Sequence, residues 1–226
     1  TLCPYLTPCL YWMPGELVAE DTNPTPPQLY AGRAGLCAPD LLDALDLPGH
    51  IFPPVVAPGT TLGELLPEVR AEVGLGYPVP IIATASHDTA SAVAAIPGLD
   101  GRSLFISSGT GSLAGVELAR PILSNRAREL NFTNEGGVGG TIRFLKNVGG
   151  LWLLQECQRH WQREGQSYTW QALVALAQQN TPLRSIVDPD ALKFRNPPDM
   201  RDAVQVVCRR TGPGGPLGIG ERGRCW

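Results

Sequence analysis

The feature that most constrains the fold is residues 81–155, where short apolar segments end in polar or glycine-rich turns. The first apolar segment, residues 81–85, is followed by three polar residues: His87, Asp88 and Thr89. Small residues typical of a helix come next, and a second apolar segment, residues 104–107, runs into the turn at 108–112. Polar strand ends beside helix starts are how α/β folds build nucleotide and sugar sites. The sequence therefore predicts an α/β fold with functional residues at strand ends.

Helical and extended patterns also lie on either side of this stretch. Apolar residues at three- and four-residue spacing predict helices at 39–45, 151–163, 168–179 and 200–210. A weaker pattern, interrupted by a proline, predicts another short helix at 63–69. The prolines after His50 predict extended backbone over residues 50–56. Residues 74–80 carry glycine and proline and are a natural hinge.

Composition excludes several classes of protein. The net charge of -3 and the pI near 5.6 argue against a nucleic-acid surface, which would need a basic face. Neither a membrane-spanning segment nor a leader peptide is expected, so we predict a cytoplasmic location. The six cysteines and three histidines lack zinc-ligand spacing, and no metal site is expected from side chains alone. Cys208 and Cys225 close a glycine-rich loop and could pair if oxidised, but we expect free thiols.

Asp88 allows two interpretations. A carboxylate at the end of a buried strand can be held rigidly and partly desolvated, which suits a general base that takes a proton from a substrate hydroxyl. Asp88 also precedes a helical segment, where a carboxylate commonly accepts hydrogen bonds from the first amides as a cap. The residues by themselves do not separate the two roles.

The glycine-rich turns are equally open to two interpretations. Residues 107–112 could cradle phosphate oxygens with backbone amides, but a tight β-hairpin turn explains the same pattern. The run at 136–140 lacks dinucleotide-loop spacing and predicts a hairpin. Gln155 is an unusual polar residue in an otherwise apolar helix, and Asn147 lies either in a solvated turn or on a cleft.

Five strings in a fixed order resemble one known family. They are ASHDTASAV, SSGTGSL, NFTNEGG, TIRFLKN and GLWLLQE, and the resemblance covers roughly residues 10–210. They resemble the FGGY carbohydrate kinases, which implies two ribonuclease-H-like (actin-like) domains. By that resemblance residues 1–78 are the end of the first domain, residues 79–210 are the first part of the second, and residues 211–226 are an irregular tail.

The resemblance also implies a reaction and a role for individual residues. It implies ATP-dependent phosphorylation of a ketose, L-rhamnulose, at its 1-hydroxyl, with Mg²⁺ as the metal. Asp88 matches the proton acceptor, and His87, Thr89 and Asn147 match sugar contacts. Thr110 and Gln155 match ATP contacts. Neither a nucleic-acid nor a membrane partner is implied, and we expect a monomer or a weak homo-oligomer.

The sequence departs from the family pattern in several places. The phosphate hairpin of the first domain and the late adenosine-binding segment are not in these 226 residues. Gly111 stands where the family often has Trp, and Gly149 stands where Met is usual. Two hypotheses follow: the chain is a segment of a sugar kinase that is inactive by itself, or it is a non-catalytic protein that binds sugar or a partner.

Overall fold

A computed structural model describes residues 11–23, 30–31, 36–181, 185–211 and 218. Contacts divide the chain into two compact units. The first unit is Thr1–Ser107 with Ala114–Lys146, and the second is Ser108–Leu113 with Asn147–Trp226. The domain boundary predicted near residue 78 stays a prediction.

Strands and helices alternate along the chain. The strands are β1 Ala19–Glu20, β2 Tyr30–Ala31, β3 Leu36–Cys37, β4 Val55–Val56, β5 Thr61–Glu64, β6 Pro80–Ile82, β7 Leu104–Ser107, β8 Gly111–Leu118, β9 Phe132–Gly136 and β10 Ile142–Gly149. The helices are α1 Pro39–Ala44, α2 Pro67–Glu72, α3 Asp88–Ala94, α4 Asn125–Glu129, α5 Trp152–Arg163, α6 Trp170–Gln178 and α7 Met200–Thr211. Short 3₁₀ segments are Gly49–Ile51, Val138–Gly140 and Leu192–Phe194. No described helix is long and apolar enough to cross a membrane.

The largest described sheet has four strands in the order β7-β8-β10-β9. Strands β9 and β10 are antiparallel, and their register runs from Gly136 opposite Ile142 to Phe132 opposite Lys146. On one face the rings of Phe132 and Phe144 stack with centroids 4.7 Å apart. The turn at 108–110 joins neighbours β7 and β8, in agreement with the hairpin alternative for this turn, and the 3₁₀ segment joins β9 to β10, so the hairpin predicted at 136–140 is confirmed.

Gly115 in β8 lies unusually close to β10. A Cβ atom at this position would lie 2.5 Å from the Phe144 carbonyl oxygen and 2.6 Å from the Leu145 Cβ. Atoms do not approach this closely without displacement, so the spacing of the two strands here depends on glycine.

The second unit is built on an apolar cluster. Its buried residues come from α5, α6, α7 and the segment between α6 and α7: Leu153, Leu154, Cys157, Trp161, Leu173, Val187, Phe194, Met200, Val204, Val207 and Cys208. The three- and four-residue spacing in α5 and α7 places these side chains on one face of each helix. Thr169 caps α6 by accepting the Ala172 N–H at 3.2 Å. The thiol-bearing Cys208 is buried in this cluster, and its pairing with Cys225 lies outside the described residues.

An ionic cluster links the end of α5 to the start of α7. Arg201 donates from Nη1 to Glu164 Oε2 at 2.5 Å and from Nε to Asp199 Oδ1 at 3.0 Å. His160 Nδ1 lies 3.8 Å from Asp199 Oδ2. The hydrogen bond from Arg201 lowers the pKa of Asp199 to about 2, and it also lowers the pKa of Glu164.

Most predicted elements are present, with three corrections. The helix predicted at 63–69 is wrong at its start, because β5 runs to Glu64 and α2 begins at Pro67. Proline lacks an N–H and has a helical φ, so it suits the first turn and cannot continue a helix before it. The strand predicted at 81–85 is shorter and ends at Ile82. Extended backbone is wrong at His50 and Ile51, which form a 3₁₀ turn.

We expect replacement of Arg201 to weaken the acid sensitivity of the fold. The pKa of Asp199 is lower in the folded chain than its ordinary 3.8, so its ionised form stabilises the fold above about pH 4. That stabilisation is lost as the pH falls from about 4 towards 2. In urea unfolding at several acidic pH values, R201M should lose less stability on acidification than the parent chain. R126M, which removes an exposed pair with Glu129 within α4, is the control. Equal pH dependence of R201M and the parent would contradict this assignment.

We also expect Gly115→Ala to destabilise the sheet by about 1–3 kcal/mol, because a side chain there overpacks against β10. Gly111→Ala lies in the same strand and meets no atom within 4 Å of its new Cβ, so it should change stability by less than about 0.5 kcal/mol. Thermal or urea unfolding measures both variants. If the two substitutions change the free energy of unfolding equally, the close approach of β10 to Gly115 does not contribute to stability.

Candidate functional site

Asp88 lies at the start of α3, a few residues after β6. Its Oδ1 accepts the Thr89 N–H at 2.7 Å, and its side chain is 99% exposed. The expectation of a partly desolvated carboxylate is therefore wrong for the described chain. The cap interpretation is partly supported, because the carboxylate satisfies one first-turn amide while His87 holds the cap position without a side-chain cap bond. The geometry leaves the second carboxylate oxygen of Asp88 on the solvent side.

His87 and Thr89 flank Asp88 with different exposure. His87 Nδ1 lies 3.5 Å from Asp88 Oδ1 and has no hydrogen-bond partner within the described part of the chain. Thr89 is buried, and its hydroxyl lies 3.4 Å from the same carboxylate oxygen. His87 Nδ1 is thus buried beside the exposed carboxylate of Asp88, and the Thr89 hydroxyl lies against that same carboxylate.

A buried carboxylate that the sequence patterns did not single out holds the segment before Asp88. Glu20, which is 2% exposed, accepts hydrogen bonds from the Ser86 N–H and hydroxyl, each at 2.7 Å. It also accepts the Thr22 N–H at 3.0 Å and the Thr22 hydroxyl at 2.6 Å. The Thr22 hydroxyl in turn accepts the His87 N–H at 3.1 Å. Glu20 and Ser86 are far apart in sequence, so no local periodicity could have indicated this network.

Arg143 is a second buried charge in the same unit. Its side chain is fully buried, donates from Nε to the Gly136 carbonyl at 2.8 Å and lies 3.3 Å from Glu135 Oε2 through Nη2. Burial lowers the pKa of Arg143, while the negative charges of Glu135, Glu117, Glu20 and Asp88 oppose that shift. The positive charge of Arg143 is therefore part of the electrostatic environment of Asp88.

The two predicted ATP contacts, Thr110 and Gln155, lie in the second unit and are hydrogen-bonded to each other. Gln155 Nε2 donates to Thr110 Oγ1 at 3.0 Å. The turn also receives two amides from the start of α5, since Leu151 N–H donates to the Gly109 carbonyl at 2.9 Å and Trp152 N–H to the Thr110 carbonyl at 3.0 Å. Those two amides are consequently occupied by the turn. The structure therefore brings Thr110 and Gln155 together, as expected if both residues contact ATP.

Gly150 permits this contact between turn and helix. A Cβ atom at Gly150 would lie 2.3 Å from the Gly109 carbonyl oxygen and 2.4 Å from the Ser112 hydroxyl. The two positions that depart from the family pattern, Gly111 and Gly149, have different surroundings. A Cβ atom at Gly111 would meet no atom within 4 Å, whereas a Cβ atom at Gly149 would lie 3.1 Å from Pro189. Glycine at 149 therefore lets Pro189 approach where the family usually has a larger side chain.

Asn147 is exposed in β10, within the second unit.

Among the described residues no group of three or more His, Cys, Asp or Glu side chains could hold a metal ion. A pocket of about 430 Å³ in the first unit is lined mainly by apolar and small residues, including Ile82, Ala83 and Ser91. None of the predicted site residues lines it.

Comparison with known proteins gives a consistent family. Residues 104–225 match the FGGY family of carbohydrate kinases, C-terminal domain. The rhamnulokinase of Bacteroides thetaiotaomicron is 43% identical over 215 residues, covering 95% of this chain and 43% of that protein. The rhamnulokinase of Bacillus subtilis is 38% identical over 218 residues, covering 95% of this chain and 44% of that protein. The chain thus spans less than half the length of these curated relatives.

Solved structures support the predicted fold at much lower sequence identity. Xylulose kinase from Rhodospirillum rubrum gives a TM-score of 0.68 at 18% identity, covering 100% of this chain and 44% of that one. Plasmodium falciparum glycerol kinase with ADP gives 0.63 at 8% identity, covering 90% and 44%. The prediction of an α/β, actin-like fold is confirmed, and the family match covers more than half of the sequence. The chain belongs to the FGGY family of carbohydrate kinases.

Proposed function

We propose that this chain is a segment of an ATP-dependent kinase that phosphorylates L-rhamnulose at its 1-hydroxyl, with Asp88 as the general base. The observation that carries the proposal is the exposed carboxylate of Asp88, held at a strand–helix junction by the Thr89 amide. Relatives named rhamnulokinase align with 95% of the chain, which supports this sugar over other substrates of the family. We also propose the domain boundary near residue 78 and a cytoplasmic location.

The proposed reaction requires little covalent chemistry from the protein itself. ATP supplies the phosphoryl group when bound with Mg²⁺, and the protein contributes positioning and charge. Asp88 accepts the proton of the sugar hydroxyl as it becomes a nucleophile. His87 and Asn147 are proposed to bind the sugar hydroxyls. Thr89, which matches a sugar contact of the family, is buried with its hydroxyl on Asp88, and we propose that it orients that carboxylate.

The second unit offers suitable groups for the nucleotide. Thr110 and Gln155 present a hydroxyl and an amide that already contact one another, and both can bond phosphate oxygens. Mg²⁺ commonly keeps several waters and binds through one or two carboxylates together with substrate phosphates.

A second hypothesis is a non-catalytic protein, a relic or a module of such a kinase that binds sugar or a partner without turnover, and the exposed apolar surface is where a partner would bind. Strand β7 is at the edge of its sheet, and its Leu104 and Ile106 are each 66% exposed. Exposed apolar edge strands commonly mark missing partners or aggregation sites. Size-exclusion chromatography and thermal melting separate the cases. A monomer that melts cooperatively would support a self-sufficient module, and aggregation would support a fragment that needs the rest of its kinase.

We expect no measurable phosphorylation of L-rhamnulose by the 226-residue chain, because both nucleotide-binding segments of the family noted above are outside it. Steady turnover by the purified chain, abolished by Asp88→Asn, would contradict this. The rhamnulokinase of B. thetaiotaomicron offers the complementary experiment, since its matching segment can be replaced by this chain.

In that chimaera we expect ATP-dependent phosphorylation of L-rhamnulose. Asp88→Asn should lower kcat by about 10²–10⁴, the usual contribution of a general base. Asp43→Asn changes an exposed carboxylate of α1 in the same way and should leave kcat unchanged. Undiminished turnover in the Asp88→Asn chimaera would overturn the assignment of the base.

A further inference from the structure

The segment that presents Asp88 is attached to a distant part of the first unit. Ser86 and His87 directly precede Asp88, and their N–H groups donate to Glu20 Oε2 at 2.7 Å and to Thr22 Oγ1 at 3.1 Å respectively. These two bonds fix successive peptide planes ahead of Asp88. The backbone ahead of Asp88 is therefore bonded to residues that lie 66 and 65 positions earlier in the chain than Ser86 and His87 respectively.

The Glu20 carboxylate is fully used by this attachment. Its Oε2 accepts three hydrogen bonds, from Ser86 N–H, Ser86 Oγ–H and Thr22 Oγ–H, and its Oε1 accepts Thr22 N–H. Asn23 Nδ2 donates to Ser86 Oγ at 3.0 Å and so adds a further bond to the same segment. A buried carboxylate is costly unless it is hydrogen-bonded and balanced by positive charge. Four donors meet the first condition, and the buried Arg143, which interacts electrostatically with both Glu20 and Asp88, contributes to the second.

The four donors around Glu20 require a carboxylate at this position. Only an ionised carboxylate offers enough acceptor capacity for four donors on two oxygens, whereas an amide has a single acceptor oxygen. The network ends at the His87 amide, immediately before the exposed carboxylate of Asp88. Small displacements of a reacting group are expensive in rate, because a misplacement of about 1 Å can cost roughly 10²-fold.

We propose that Glu20, acting through Ser86 and Thr22, is a positioning residue that sets the orientation of Asp88. The proposal deepens the function proposed above and rests on it for its kinetic consequence. Its structural part, the attachment of the Ser86–His87 backbone, is tested independently of any activity.

Hydrogen exchange on the 226-residue chain tests the attachment. In E20Q the single amide oxygen cannot accept all four donors, so exchange of the Ser86 and His87 amides should rise by about tenfold or more. T22V removes the acceptor of the His87 N–H and should accelerate His87, while T22S keeps the hydroxyl and should restore protection. T169A removes one cap bond of α6 in the other unit and is the control for general destabilisation. Unchanged exchange in E20Q and T22V, or an equal rise in T169A, would overturn the attachment.

Kinetics of the B. thetaiotaomicron chimaera test the positioning role. E20Q and T22V should lower kcat by about 10- to 100-fold, with KM for ATP unchanged, and T22S should recover most of the rate. T169A should leave kcat as in the parent chimaera. Faster exchange with an unchanged kcat would overturn the positioning role and leave Glu20 as a structural cross-link. An inactive parent chimaera would instead refute the proposed function, while the exchange data would still decide the attachment. If E20Q fails to fold, the comparison of T22V with T22S decides both questions.

Discussion

The first unit depends on the contacts that the fully buried guanidinium of Arg143 makes with Gly136 and Glu135. A positive charge without solvent must be balanced nearby, and removal of one partner from a buried pair typically costs about 3–5 kcal/mol. Arg143 bonds the Gly136 carbonyl of the neighbouring strand and lies beside Glu135, so it connects β10 with β9. Its charge also acts on Glu20 and Asp88, which lie on other elements of the unit. Strands β10 and β9 are therefore connected through one buried charged side chain.

In the second unit, the structure depends on the close approach of two backbone segments, the turn at 108–112 and the start of α5. Gly150 lets the turn at 108–112 contact the start of α5, where two helix amides donate to turn carbonyls. The same approach brings Thr110 within hydrogen-bond distance of Gln155. A side chain at Gly150 would push the turn away from the helix and separate the two residues assigned to the nucleotide. The apolar cluster of α5 and α7 holds the helix in place beneath this contact.

Much of the fold could be predicted, because its signals are local. The helices of the second unit follow from apolar spacing, and the hairpin at 136–140 follows from a glycine run between apolar segments. The helix predicted at 63–69 fails because a strand and a helix share that apolar pattern, and Pro67 decides where one stops and the other starts. The exposure of Asp88 could not be predicted either, since the alternatives of base and cap require the same residue in the same place.

The sequence by itself determined the family, because short strings in register carry it, and the same strings supply the proposal of residues for sugar and nucleotide. Only the tertiary structure decided that Glu20 holds the backbone ahead of Asp88 and that Arg143 is buried in the same unit. The first depends on residues 65 and 66 positions apart in the chain, and the second on the pairing of β10 with β9. Hydrogen bonds and buried charges of this kind form where separate segments pack together. The hydrophobic periodicity of a helix or a strand does not predict them.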